Sequence, residues 1–197
     1  MNASLDNLTS QNSFIGAYYV PTGICDTVVD YYNNSKEKYS GTVAHYTEDN
    51  QLTETIKEST ECVLSPNCSS GHLYFTELKK CLNLYIEQYP YSNNYGPFSI
   101  KENVKIQHYA PGQGYTAYHT ERGSCSEPNA SRHLVFMTYL NDVYDGGETE
   151  FFHQQLKVTP KKGLTLIWPA DWTYTHRGIA APVEEKIIIT GWWNFIK

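Results

Sequence analysis

Residues 132–168 read RHLVFMTYLNDVYDGGETEFFHQQLKVTPKKGLTLIW, a series of short apolar runs separated by turn-forming Asn, Asp, Gly and Pro. Similar runs fill the chain from residue 103 onward, and many short strands with regular turn signals and no intervening helix favour a jelly roll. About eight runs are predicted as strands, near 104–109, 115–119, 132–140, 148–152, 155–159, 163–168, 174–179 and 186–195.

The preceding part of the chain has a mixed pattern. A strand is predicted over 13–20 and a short helix over 24–32, where apolar residues recur at helical spacing. Residues 36–70 are polar and irregular, which predicts no regular element. A second helix is predicted over 75–89, since its apolar residues keep the helical period until Pro90 ends it.

The length of the chain bounds its organisation. A chain of 197 residues can bury one substantial core but is short for two. We therefore predict a single domain over 1–197, of a mainly β, α+β class. A strand and supporting helices over about 13–100 would buttress a double-stranded β-helix (jelly roll) core over about 103–197.

Composition excludes several classes of function. A net charge of -6 with 18% charged residues provides no basic field for a phosphate backbone, so no nucleic-acid partner is expected. No apolar run of about 18 residues could span a bilayer, and the opening residues carry no signal-peptide pattern, which predicts a cytoplasmic protein without a membrane partner. Five cysteines at irregular spacing predict free thiols.

The candidate metal ligands are His119, Glu121 and His176. In an extended backbone, residues i and i+2 project to the same face, so His119 and Glu121 can reach one ion. His176 lies on a later predicted strand that a jelly roll could place beside them. Two histidines and one carboxylate form a facial set that leaves positions open on Fe(II). In a chain with seven histidines the pattern alone is weak, and polar strand residues without a metal remain the alternative.

Lys186 strengthens the metal interpretation. It lies ten residues after His176, in the apolar strand that continues as Ile187-Ile188-Ile189. Burying a lysine is costly unless an anion pairs with it, and the distal carboxylate of 2-oxoglutarate would be such an anion. The alternative is an edge-strand lysine that faces solvent.

Several landmarks in order resemble one family, the prolyl 4-hydroxylase-like Fe(II)/2-oxoglutarate-dependent dioxygenases. The resemblance is strongest over 104–195. A tyrosine, a glycine-rich turn and a second tyrosine precede the first metal histidine in QHYAPGQGYTAYH at 107–119. Further landmarks follow as FMTYLN at 136–141, DGGETEF at 145–151 and VTPKKG at 158–163.

The resemblance implies further site residues. Tyr109 would donate a hydrogen bond to 2-oxoglutarate, Thr190 would assist Lys186, and Trp192 would line the pocket. For Tyr109 and Trp192, ordinary core packing is the alternative. One departure is Glu121, because most members of the family have aspartate at that position.

The function implied by the resemblance is hydroxylation of a prolyl residue in a peptide or protein substrate. The cofactors would be Fe(II), 2-oxoglutarate as cosubstrate and O2, with ascorbate as a candidate reductant, and the products would include succinate and CO2. The alternatives are the same chemistry on a free amino acid or another side chain, and a non-catalytic jelly-roll binding module.

Overall fold

The computed structural model describes residues 13–46 and 52–196. The described part of the chain contains two α-helices, three short 3-10 turns and thirteen strands. The helices are α1 (Thr22–Asn34) and α2 (Ser69–Gln88). The strands are β1 (Gly16–Tyr19), β2 (Tyr39–Ser40), β3 (Val43–Tyr46), β4 (Leu52–Lys57), β5 (Thr60–Val63), β6 (Phe98–Ser99), β7 (Lys105–Tyr109), β8 (Arg132–Tyr139), β9 (Thr149–Phe151), β10 (Leu156–Val158), β11 (Leu164–Pro169), β12 (His176–Gly178) and β13 (Lys186–Phe195).

The strands form a large and a small antiparallel sheet, together with a hairpin. The large sheet has the order β1-β11-β8-β13-β7-β5-β2, with β6 beside β13. The small sheet has the order β10-β9-β12, and β3 pairs with β4. The long strand β13 pairs with β8 on one side and β7 on the other, so residues from both strands lie close to it. The predicted mainly β architecture with N-terminal helices is confirmed.

Two apolar clusters hold these layers together. One lies between the helices and the large sheet, where α2 buries Tyr74, Leu78, Cys81 and Tyr85 at helical spacing. The other includes side chains from both sheets, among them Phe151 of the small sheet. The helices therefore cover one face of the large sheet and leave its other face for the small sheet and the site.

Two predictions about local structure are wrong. Residues 115–119 form no named strand, because their backbone groups are divided between two partners: Tyr115 bridges to Lys57, and His119 bridges to His176. The segment 36–70 is not irregular, since β2 to β5 lie within it. These strands escaped detection because several of their residues are polar or exposed, including Tyr39, Ser40 and Thr60.

Two further observations concern the predicted compartment. Within residues 13–46 and 52–196, no helix combines the length and apolar character needed to cross a bilayer. All five cysteines are free thiols, as predicted.

Candidate active site

A cavity of about 330 Å³ opens between the two sheets. Alternate residues of a strand project to one face, so every second residue of β7, and of β13 from Lys186 to Trp192, points into this cavity. From these strands the lining residues are Lys105, Gln107, Tyr109, Lys186, Ile188, Thr190 and Trp192. All seven predicted site residues, His119, Glu121, His176, Tyr109, Lys186, Thr190 and Trp192, border this one cavity.

His119, Glu121 and His176 converge at one end of the cavity. One donor atom from each lies within 4.8 Å of the others. Reciprocal backbone hydrogen bonds of 2.9 and 3.0 Å join His119 to His176, which brings their side chains together although 57 residues separate them. The Glu121 Oε1 atom lies 3.7 Å from His119 Nε2 and 3.5 Å from His176 Nε2.

The tautomer of both histidines is set by the backbone. His119 Nδ1 lies 3.0 Å from the carbonyl oxygen of Ala117, and His176 Nδ1 lies 2.9 Å from that of Tyr174. A carbonyl can only accept, so each Nδ1 carries the proton and donates it. Each Nε2 therefore faces the Glu121 carboxylate and is the ring nitrogen available to a metal ion, which is the arrangement that metal-ligating histidines use.

Aromatic rings restrict the movement of the two imidazoles. Tyr115 stacks on His119 with ring centroids 3.7 Å apart and planes 8° apart. Trp168 and Phe151 contact His176 at centroid distances of 5.2 and 5.6 Å. The ligand set is thus held by rigid neighbours.

The second carboxylate oxygen of Glu121 is also held. Its Oε2 accepts a hydrogen bond of 3.0 Å from Trp192 Nε1 and lies 3.4 Å from Arg132 Nη1. Burial alone would raise the pKa of the Glu121 carboxyl, but hydrogen bonds and charge from His119 and His176 outweigh it and hold the pKa well below its usual range. Glu121 is therefore an anion. Its Oε1 faces the two histidines, and its Oε2 faces Trp192 and Arg132.

Lys186 is buried at the other end of the cavity, with 4% of its surface exposed. Its Nζ donates to the carbonyl oxygens of Gly147 at 3.1 Å and Ile179 at 3.4 Å. Among the described residues, no carboxylate lies within ion-pair distance of this ammonium. Burial lowers its pKa to about 8. The solvent-facing alternative for Lys186 is excluded, and the turn at Gly146-Gly147, where both φ values are positive, presents one of its acceptors.

Tyr109 is both a core residue and a cavity residue. It is buried in the apolar cluster between the sheets, and the Lys186 Nζ lies 5.1 Å from its ring centroid. Its hydroxyl donates to Gln107 Oε1 at 2.8 Å, and Gln107 Nε2 donates to Glu61 Oε1 at 3.0 Å. The two interpretations of Tyr109 from the sequence are therefore compatible.

The N-terminal half contributes a buried charge cluster that sequence analysis missed. Glu61, in β5, is ion-paired with Lys57 and, at 3.3 Å, with Lys105. Burial alone would raise the pKa of the Glu61 carboxyl, but the two lysines hold it below its usual range. A glutamate in a short polar strand gives no sign in the sequence that it is buried.

Thr190 and Arg177 are less well placed to bind an anion. Thr190 borders the cavity, but its hydroxyl donates to the Phe136 carbonyl oxygen at 3.3 Å. Arg177, the cation next to His176, is paired with Glu150 at 2.7 Å and stacks on the Tyr118 ring at 4.5 Å. Lys186 is therefore the better candidate anchor.

Comparison with known proteins agrees with this geometry. Residues 104–194 match the model of the 2OG-Fe(II) oxygenase superfamily. No match was found among curated protein sequences.

Solved structures of prolyl hydroxylases share the fold at low sequence identity. A viral collagen prolyl hydroxylase from Paramecium Bursaria Chlorella virus-1, in complex with 2OG, has a TM-score of 0.69 and 18% identity over 94% of this chain and 98% of that chain. A Pseudomonas putida prolyl-4-hydroxylase has a TM-score of 0.67 and 15% identity, covering 94% and 95%.

A third neighbour is a prolyl hydroxylase from Trichoplax adhaerens in complex with a hypoxia inducible factor peptide fragment. Its TM-score is 0.66 at 14% identity, covering 93% of this chain and 84% of that chain. These likenesses confirm the predicted double-stranded β-helix, and the match over 104–194 confirms the predicted resemblance. Residues 104–194 of this chain resemble the 2OG-Fe(II) oxygenase superfamily, and the fold of the chain is similar to that of prolyl hydroxylases.

Proposed function

We propose that this protein is an Fe(II)- and 2-oxoglutarate-dependent dioxygenase that hydroxylates a prolyl residue of a peptide or protein. The observation that carries the proposal is the presence, in one cavity, of a two-histidine, one-carboxylate set and a buried lysine that lacks an acidic partner among the described residues. The first suits Fe(II), and the second suits a dicarboxylate ligand.

The roles follow from the contacts. His119, Glu121 and His176 would hold Fe(II) through the two Nε2 atoms and Oε1. Lys186 would pair with the distal carboxylate of 2-oxoglutarate in place of its present carbonyl contacts. When bound, iron and 2-oxoglutarate would provide the chemistry: O2 hydroxylates a C–H bond, and 2-oxoglutarate is decarboxylated to succinate and CO2.

The remaining residues orient and enclose this pair. Tyr109 would turn its hydroxyl from Gln107 toward the cosubstrate, and Ile188 and Met137 exclude water from the cavity wall. Thr190 and Trp192 complete the lining. Ascorbate would serve as the accompanying reductant.

The prolyl substrate is supported by the prolyl hydroxylases among the structural neighbours, one of which is in complex with a peptide. The test is turnover of a panel of proline-containing peptides with Fe(II), 2-oxoglutarate and ascorbate, with alanine replacing proline in matched controls. We expect succinate formation coupled to the gain of one oxygen atom on proline. Oxygen on another side chain, or on a free amino acid, would contradict the substrate but not the chemistry, and absence of succinate with all substrates would favour a non-catalytic module.

A further inference from the structure

Arg132 and Trp192 surround the outer oxygen of Glu121. We propose that they form a clamp that restricts Glu121 to ligation through one oxygen, so that the longer glutamate can do the work of the usual aspartate. This inference rests on the proposed function, because it assumes that Glu121 is a metal ligand.

The clamp contacts Glu121 at three points. Trp192 Nε1 donates to Oε2 at 3.0 Å, and Arg132 Nη1 lies 3.4 Å from the same oxygen. The same Arg132 nitrogen donates to the Glu121 backbone oxygen at 2.8 Å. The side chain and the backbone of Glu121 are thus held together, with Oε1 left toward His119 and His176.

The clamp is itself rigid. The Arg132 guanidinium stacks on the Trp192 ring at 3.7 Å from its centroid. Its other nitrogens donate to Glu102 at 2.8 and 2.6 Å, and Asn194 donates to Glu102 at 3.0 Å. A planar guanidinium fixed on one edge by a carboxylate and on one face by an indole has little freedom to leave Glu121.

The number of coordination positions on Fe(II) explains why the clamp would matter. Fe(II) in a facial site has six positions, of which the three protein ligands occupy three. A chelating 2-oxo acid needs two and O2 needs one, so none is spare. The additional methylene of glutamate gives the carboxylate reach and freedom to chelate through both oxygens, which would occupy the position that O2 requires. Hydrogen bonds to Oε2 oppose this second contact.

The first test counts water molecules on the metal. Mn(II) bound in place of Fe(II) reports its exchangeable waters through pulsed EPR in isotopically labelled water. One-oxygen ligation by Glu121 leaves six minus three, that is three waters. Two waters on wild-type protein would overturn the proposal.

The second test is a double-mutant cycle on Mn(II) affinity, read from the EPR signal of the free ion. Trp192→Phe removes the donor and keeps an aromatic ring for Arg132, and loss of such an outer contact typically weakens metal binding about tenfold or more. In a Glu121→Asp background, the shorter side chain cannot reach both the metal and the clamp. There the same substitution should cost less than about twofold. Trp172→Phe, at an exposed tryptophan, is the matched control in both backgrounds.

The outcomes separate the clamp from the proposed function. If Glu121→Ala binds Mn(II) as well as wild type, Glu121 is not a ligand and the proposed site fails. If Glu121→Ala loses Mn(II) but Trp192→Phe costs the same in both backgrounds, or nothing in either, the site stands and the clamp is refuted. Arg132→Lys keeps the positive charge but removes the planar guanidinium that contacts Glu102 and Glu121 together. A loss of Mn(II) affinity in this variant, with the fold retained, supports the clamp.

Discussion

The two ends of the cavity differ in how their buried charges are compensated. At the metal end, the Glu121 carboxylate is met by two histidines, Trp192 and Arg132, and Arg132 is balanced further by Glu102. At the other end, the Lys186 ammonium is buried with carbonyl oxygens as its contacts. Both ends are buried, yet among the described residues only those at the first end supply partners of opposite charge within ion-pair distance.

This difference indicates which ligand each end of the cavity would bind. A burial penalty on an unpaired cation is relieved when an anion enters, so the Lys186 end gains most from a dicarboxylate. The metal end is already organised as a ligand set around the Glu121 anion, so it gains most from a cation. Substitutions at one end at a time, with metal binding and cosubstrate binding measured separately, test this difference.

The largest effect is expected from His176→Ala. Removal of one of three ligands should weaken Mn(II) or Fe(II) binding by more than about a hundredfold, beyond the range found for outer contacts, and should abolish succinate formation. Circular dichroism should show a retained fold. His153→Ala, at an exposed histidine, is the control, and metal affinity that persists in His176→Ala would remove this residue from the site.

Lys186→Met should leave metal affinity nearly unchanged and weaken 2-oxoglutarate binding. Loss of one partner of a buried charge pair costs roughly 2–5 kcal/mol, or about 30-fold to several-thousand-fold in affinity. Without ligand, the variant should be more stable by on the order of 2 kcal/mol, because the buried ammonium is a burden on the free protein. Calorimetry should show the weaker 2-oxoglutarate binding, and thermal unfolding should show the higher stability of the ligand-free variant.

Arg177→Met provides the comparison for Lys186→Met. Since Arg177 is already paired with Glu150, its loss should change 2-oxoglutarate affinity only slightly. A larger loss for Arg177→Met than for Lys186→Met would move the anchor to Arg177.

The pH dependence of 2-oxoglutarate binding should follow Lys186. Its pKa is lowered to about 8, so the free protein carries a charged ammonium below that pH and loses it above. Binding of an anion requires the charged form, so affinity should be level below about pH 8 and fall up to about tenfold per pH unit above it. In Lys186→Met this dependence should disappear. A wild-type profile that stays level through about pH 9 would disagree with the assignment.

Tyr109→Phe should have a smaller effect than Lys186→Met. One neutral hydrogen bond contributes about 1 kcal/mol, so loss of the hydroxyl should weaken 2-oxoglutarate binding by roughly fivefold. Metal affinity should not change. An effect on protein stability without any on cosubstrate binding would assign the hydroxyl to the Gln107 contact alone.

The features predicted from the sequence are those that depend on residues close together in the chain. The i and i+2 relation brought out His119 and Glu121, and the apolar surroundings of Lys186 predicted its burial. The alternation of short runs predicted the β-rich core. The β-rich core follows from strand signals that can be counted along the chain, whereas the i and i+2 spacing identified His119 and Glu121 although residues 115–119 form no strand.

The features missed depend on which distant segments pair. Tyr115 contacts His119 through an irregular segment that shares its backbone bonds with β4 and β12, and Arg132 stacks on Trp192 because β8 lies beside β13. Glu61 is buried through its ion pairs with two lysines. The single-domain division, the cytoplasmic location and the use of ascorbate stay predictions.

The most direct test of the account is anaerobic binding of 2-oxoglutarate with and without Fe(II), measured by calorimetry on wild type, His176→Ala and Lys186→Met. We predict one equivalent of 2-oxoglutarate bound tightly to wild type only when Fe(II) is present. We also predict little binding to His176→Ala, and weakened but still iron-dependent binding to Lys186→Met. Equal 2-oxoglutarate affinity in all three proteins, or affinity independent of iron, would contradict a shared metal and cosubstrate site in this cavity.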